Sequence, residues 1–147
     1  MSKELINKSK VVLADTFVMY MKSHAAHWNV VGPDFPQLHS FFGDLYEELH
    51  DSVDVLAEHI RQLDSFALCC LSEIKQYATI EETESILKPM EMVNDLYDTN
   101  EKVIQTVTEA YNMAEELKMF GYSNYLQDRL TAHFKHRWML KSIALRK

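Results

Sequence analysis

Two histidines and two carboxylates in this chain stand at spacings suited to gripping a transition-metal ion. His27 lies shortly before Gly32-Pro33, and His39 lies a similar distance after it. Glycine suits the residue just past a helix end and proline cannot continue the helix, so the chain turns back there. An antiparallel hairpin with that turn brings the two imidazoles level with one another. Imidazole nitrogens suit zinc, copper, nickel or iron. Further along, Asp54 and Glu58 are spaced i, i+4, one above the other on a helix face, where they can share a cation. Taken singly, either histidine is explained as a hydrogen-bonded core or surface residue, and the acidic pair as a solvated stripe. The matched placement about the turn is what sets the histidines apart.

Geometry then restricts how the two pairs can meet. His39 and Asp54 point in similar directions around one helix yet sit about 22 Å apart along it. One chain cannot close both pairs on one ion. An antiparallel packing of this helix on its own copy, about a two-fold axis near Tyr46–Glu47, brings each chain's histidines to its partner's carboxylates. Such an axis generates two sites per dimer.

The elements that must hold these residues are helical. Only three glycines and three prolines occur in 147 residues, too few for the many turns of an all-β fold. One domain spanning 1–147 is expected, and its length supports a substantial core. In the first helix, from Glu4 to about Val31, Leu13, Phe17, Tyr20, His24 and His27 fall on one face. Asp34 can cap the second helix, with Gln37 completing a capping-box pattern. That helix carries Leu38, Phe42, Leu45, Leu49, Leu56, Ile60 and Leu63 toward a core. The connection from Asp64 to about Lys88 is too long for a simple turn and holds a short amphipathic piece, Leu71–Tyr77. It also holds the acidic run Glu81–Glu84, expected as an exposed loop. A further helix runs from near Pro89 to Phe120, with Ile104, Val107, Tyr111 and Ala114 on one face. Gly121 is expected to break it and Ser123 to cap the last helix, which continues nearly to Lys147. Two hairpins joined by a long crossover carrying a short extra helix make an all-α, ferritin-like four-helix bundle.

The segment from His27 to His39, HWNVVGPDFPQLH, resembles the signature of the Dps (DNA protection during starvation) family. Asp54 to Ile60, DVLAEHI, is similar to that family's second signature, and Trp138-Met139-Leu140 resembles the ending of its fourth helix. The resemblance covers essentially the whole chain. It implies an intersubunit ferroxidase centre with His27 and His39 from one subunit and Asp54 and Glu58 from its neighbour. It also implies iron as substrate, hydrogen peroxide as preferred oxidant, and a hollow homo-dodecamer storing ferric mineral. Zinc or another divalent metal also suits these ligands. One position departs from the pattern. Many members carry an acidic residue four positions after the second histidine, where this chain has Gly43, with Asp44 pointing about 100° further round. A second iron is therefore expected to be held weakly. Gly43→Asp is expected to tighten it and modestly to favour the helix by replacing glycine.

Other residues carry weaker signals. Glu47 and His50 form a Glu-x-x-His unit of the kind used twice by di-iron bundles whose site lies inside one subunit. His133 and His136 on the last helix have no glutamate three residues before them, so that arrangement lacks its second half. Asp44, Glu47, Glu48 and Asp51 can line a cavity or form a solvated face, and Asp128 is a candidate pore acid. Trp28 can donate an electron beside His27, although packing is the expected role of Trp28 and Trp138. His24 is expected in the core or behind the ligands.

The net charge of −7 favours cations and opposes DNA and anionic membranes. The basic residues available to DNA are Lys3, Lys8 and Lys10 near the start and Lys135, Arg137, Lys141, Arg146 and Lys147 near the end. DNA binding, which needs several free cations, is expected to be weak. DNA compaction and a metal-binding shell without turnover remain as alternatives. Adjacent Cys69 and Cys70 cannot make an ordinary intrachain disulfide. With no membrane-length apolar run and no leader pattern, a cytoplasmic location is expected.

Overall fold

The computed structural model describes residues 2–145, and the elements follow the expected order. Five helices occur: α1 (Lys3–Asn29), α2 (Phe35–Gln62), α3 (Leu71–Tyr77), α4 (Pro89–Glu116) and α5 (Phe120–Ile143). No strand occurs among the described residues. Ser2 caps α1, its hydroxyl accepting from the Leu5 N–H at 3.1 Å. At the other end Gly32 takes φ +121°, a conformation only glycine adopts freely, and the chain reverses into α2. α1 pairs with α2, α4 pairs with α5, and α1 packs on α4 to join the hairpins. The core stripe expected on α2 is buried in full, from Leu38 through Leu49 to Ile60. Each such side chain contributes roughly 1.5–3 kcal/mol by leaving water. The buried apolar residues form one contiguous cluster.

The crossover is anchored by polar contacts to the bundle. Asp15 of α1 is buried and accepts from both the backbone N–H and the hydroxyl of Thr79, each at 2.7 Å. Burial raises the Asp15 pKa, and the Thr79 bonds oppose that rise. Lys22 reaches across to Asp95 at 3.3 Å and Thr99 at 3.0 Å, tying α1 to α4. α4 begins with Pro89 in its first turn, and Glu91 accepts from the Lys88 N–H at 2.9 Å. The run Glu81–Glu84 is exposed, as expected. No described helix is long and apolar enough to cross a membrane.

Three helix ends differ from expectation. Asp34 stands at the start of α2, but its side chain makes no capping bond, so the Asp34–Gln37 box does not form. Pro36 in the first turn instead lowers the number of unsatisfied N–H groups. α4 ends at Leu117, not at Gly121, which lies inside α5. Ser123 is likewise buried within α5, its hydroxyl donating to the Phe120 carbonyl at 3.2 Å. The stop is a Schellman motif: Lys118 N–H donates to Glu115 O at 3.0 Å and Met119 N–H to Ala114 O at 2.8 Å. Lys118 takes φ 58° to make it. α2 ends in the same way, with Asp64 at φ 60°, Asp64 N–H on Arg61 O at 3.1 Å and Ser65 N–H on Ile60 O at 3.4 Å. Satisfying two terminal carbonyls outweighs the left-handed backbone at a residue that is not glycine.

That backbone cost is recoverable at Lys118, which is exposed. Lys118→Gly should stabilise the protein by about 1 kcal/mol, or about 2–4 °C in melting temperature. Scanning calorimetry at matched protein concentration checks this. An unchanged or lower melting temperature would show that lysine adopts the motif without strain.

Candidate metal centre

The α1–α2 turn places His27, in the last turn of α1, against His39, in the second turn of α2. Their rings stack at 3.8 Å between centroids, 17° from parallel. The bonding is reciprocal. His27 Nδ1 lies 2.7 Å from the His39 carbonyl oxygen, and His39 Nδ1 lies 2.7 Å from the His27 carbonyl oxygen. A carbonyl oxygen only accepts, so each Nδ1 carries a hydrogen. Each neutral ring therefore keeps its lone pair on Nε2, the atom left free to bind a metal. The exchange also satisfies the His27 carbonyl, one of the four that a helix C-terminus leaves without an intrahelical donor. Phe35 stacks on His39 at 4.9 Å.

Asp54 and Glu58 lie on the same helix as His39, both exposed. They approach closely enough that a hydrogen bond with Asp54, and then its charge, raises the Glu58 pKa. Among the described residues no lysine or arginine forms a salt bridge with either. α2 runs unbroken from Phe35 to Gln62, so the separation of about 22 Å between His39 and Asp54 stands. The structure thus joins His27 to His39 and Asp54 to Glu58, and keeps the two pairs apart within one chain.

The interior between α2 and α5 holds a different polar cluster. Arg129 is buried and binds Glu48 through both guanidinium nitrogens, with Nη2 3.0 Å from Oε1. His136 Nε2 donates to the same Oε1 at 2.7 Å. His133 Nδ1 donates to Asn100 Oδ1 at 2.8 Å, leaving its Nε2 to accept from Arg129 Nη2 at 3.1 Å. Burial, with Arg129 beside it, holds the His133 pKa well below the ordinary histidine value, so this ring is neutral. Burial alone would raise the Glu48 pKa, but hydrogen bonds from His136 and Arg129 hold it well below the usual carboxylate range. Arg129 supplies the positive charge here. Glu47 and His50, the Glu-x-x-His unit, are both exposed, and the His50 ring lies tilted against Tyr20 at 5.0 Å.

Comparison with known proteins agrees with this geometry. The family model for the ferritin-like domain matches residues 9–146. The chain is 34% identical to the DNA protection during starvation protein of Helicobacter pylori over 134 residues, covering 90% of this chain and 93% of that protein. It is 30% identical to general stress protein 20U of Bacillus subtilis, covering 97% and 98% of the two chains. The solved structure of Dps from Thermosynechococcus elongatus superposes with a TM-score of 0.94 at 26% identity, covering 99% of this chain and 92% of that one. The Vibrio cholerae Dps, described as a member of a broad superfamily of ferritin-like diiron-carboxylate proteins, superposes at 0.91 with 27% identity, covering 95% and 88%. The chain belongs to the ferritin-like Dps family.

Several residues around the Dps histidine pair take roles that single-residue reasoning missed. Neither tryptophan is a core residue of this chain: Trp28 is 58% exposed and Trp138 65%. Trp28 instead stacks on His24 at 4.0 Å, and His24 lies flat on Tyr46 at 3.8 Å. Tyr20 Oη sits 3.0 Å from His24 Nδ1. Partial burial lowers the His24 pKa, with smaller contributions from His27 and His50. His24 thus lies behind the pair, as expected. The basic residues are partly committed too. Arg137 makes a two-point bridge to Glu101 at 2.6 and 3.0 Å, Lys8 lies 3.7 Å from Glu109, and Lys10 sits over Tyr77. Arg146 and Lys147 lie outside the described residues.

Gly43 belongs to the centre itself. A Cβ added there would stand 3.2 Å from both Cε1 and Nδ1 of His27. The His27 ring has no room to yield, with His39 stacked at 3.8 Å and its Nδ1 held at 2.7 Å. Gly43→Asp therefore does not simply gain helix stability as expected, because its Cβ presses on the His27 ring. Gly43→Ala should lower ferrous affinity about tenfold, equivalent to about 1.4 kcal/mol. Anaerobic calorimetric titration measures this, and affinity equal to or above wild type would show that the ring moves freely.

Proposed function

We propose that this Dps-family protein is a ferroxidase and iron store whose centres lie between subunits. His27 and His39 of one chain bind ferrous iron through Nε2, and Asp54 and Glu58 of the neighbouring chain complete the site. The observation that carries this proposal is the reciprocal histidine pair. It fixes both tautomers for ligation, while Asp54 and Glu58, the exposed pair whose carboxylates interact directly, stay about 22 Å away along the same helix. A two-fold axis across α2 supplies the missing carboxylates twice per dimer.

Imidazole and carboxylate together suit iron in both oxidation states, the carboxylate oxygens favouring the harder ferric product. Hydrogen peroxide is the proposed oxidant. Two ferrous ions and two protons convert one peroxide to two waters and two ferric ions. Delivering both electrons together avoids the hydroxyl radical that a single electron produces. With Gly43 in place of an acid, the second ferrous ion is held more weakly than the first. Ferric product collects in a hollow dodecamer, as family membership implies, and the acidic chain attracts incoming cations. DNA association is weak, because the molecule is acidic and Arg137 and Lys8 already face carboxylates. Complete retention of plasmid at physiological salt in a gel-shift would contradict that.

The shared centre is tested by complementation. His27→Ala/His39→Ala and Asp54→Ala/Glu58→Ala variants should each be nearly inactive in stopped-flow iron oxidation with peroxide. Unfolded together and reassembled, half the dimers should be mixed, each with one intact site, restoring about a quarter of wild-type activity. A mixture as inactive as its parents, with mixed assembly confirmed by mass spectrometry, would reject the shared site. A fully active histidine variant would reject the ligands themselves.

A further inference from the structure

The chain's only two cysteines are adjacent, at the point where the crossover enters α3. Both are exposed thiols. Neighbouring residues of an extended chain project to opposite sides. Here, although Cys70 has an extended backbone (φ −157°, ψ 165°), the two Sγ atoms and a Glu73 carboxylate oxygen all lie within 4.8 Å of one another. Glu73 is held in place by its own bond, Oε2 accepting from the Cys69 N–H at 2.9 Å. That bond turns the carboxylate back toward the thiols, where it also hydrogen-bonds with the Cys69 thiol.

We propose that Cys69, Cys70 and Glu73 form a second metal site, distinct in residues and chemistry from the iron centre, that takes Zn²⁺. Tetrahedral zinc with sulfur at about 2.3 Å and oxygen at about 2.1 Å needs its ligand atoms about 3.5–3.8 Å apart. Rotation of exposed side chains by about 1 Å closes the observed triangle to that size. Two thiolates make the site soft, and soft ligands favour zinc over ferrous iron, whereas imidazole and carboxylate serve iron. Binding releases the two thiol protons to solvent and leaves the fourth position to water.

Cobalt serves as the probe, because a thiolate ligand gives Co²⁺ a near-ultraviolet charge-transfer band that imidazole and carboxylate do not. Reduced protein with both thiols titratable should develop this band, saturating at one cobalt per chain, and Zn²⁺ should abolish it. Glu73→Gln keeps an acceptor for the Cys69 N–H but removes the charge, and should weaken zinc binding at least about tenfold. Cys70→Ser should weaken it at least as much. Iron oxidation should be unchanged in both variants, which separates this site from the ferroxidase centre. The proposal is overturned if no band forms while both thiols remain free. It is also overturned if the band saturates at one cobalt per two chains, which indicates a four-thiolate site between copies. Unaltered zinc affinity in Glu73→Gln or in Cys70→Ser overturns it as well.

Discussion

A helix cannot fold back on itself, and that rigidity governs the chemistry proposed for this protein. α2 carries an imidazole near one end and two carboxylates near the other, with about 22 Å of helix between them. The rest of the bundle holds that rod straight and dresses its ends. Its core stripe, from Leu38 to Ile60, fixes which face is buried, so His39, Asp54 and Glu58 are left on the remaining surface. α1 returns alongside and delivers His27 to one end. No local rearrangement within a chain relieves the separation, so the proposed centre requires a second copy.

The interior cluster bears on the alternative of a centre within one chain. Helices α2 and α5 could in principle hold a metal between them, since Glu48, His133 and His136 all point inward. Arg129 occupies that position with a permanent charge that satisfies Glu48 and fixes the His133 tautomer. Removing Glu48 would leave the buried Arg129 guanidinium without its two-point partner, a loss that solvent at the partly exposed carboxylate softens. Metal entering the interior would have to displace it. The ion pair, which by itself adds little stability, thereby favours the surface centre proposed above over an interior one.

The bundle, the meeting of His27 with His39 and the closeness of Asp54 to Glu58 were legible in the sequence because they rest on periodicity and spacing. The stripe on α2, the short α3 and the pairing of His27 with His39 about Gly32-Pro33 all have that origin. The misses share another origin. Ends of α2 and α4 close with Schellman motifs built on Asp64 and Lys118, where residue-type rules look for glycine. Gly121 and Ser123 attracted the boundary because their types suit one, although neither serves there. Gly43 was read from what it lacks, a carboxylate, when its role is to admit the His27 ring. Glu48 and Arg129 lie far apart in sequence on different helices. Nothing in local pattern marks such a pair, and only packing reveals it.

Placing a centre between chains, as proposed, also couples chemistry to containment. A lone subunit holds either half of the ligand set at each end of α2, and neither half suffices to hold and oxidise iron. Activity then appears only with the interface, and ferric product forms only where a shell exists to receive it. The histidine pair is suited to waiting in that state. Its rings are locked by each other's backbone carbonyls, not by the partner, so no reorganisation is needed when the carboxylates arrive. The carboxylates wait differently: a hydrogen bond with Asp54, and then its charge, raises the Glu58 pKa, so a proton is favoured between them where the proposed cation would sit. In the proposed centre, preorganised imidazoles on one chain thus meet a close-set carboxylate pair on the other, and each half supplies only part of the ligands an ion needs.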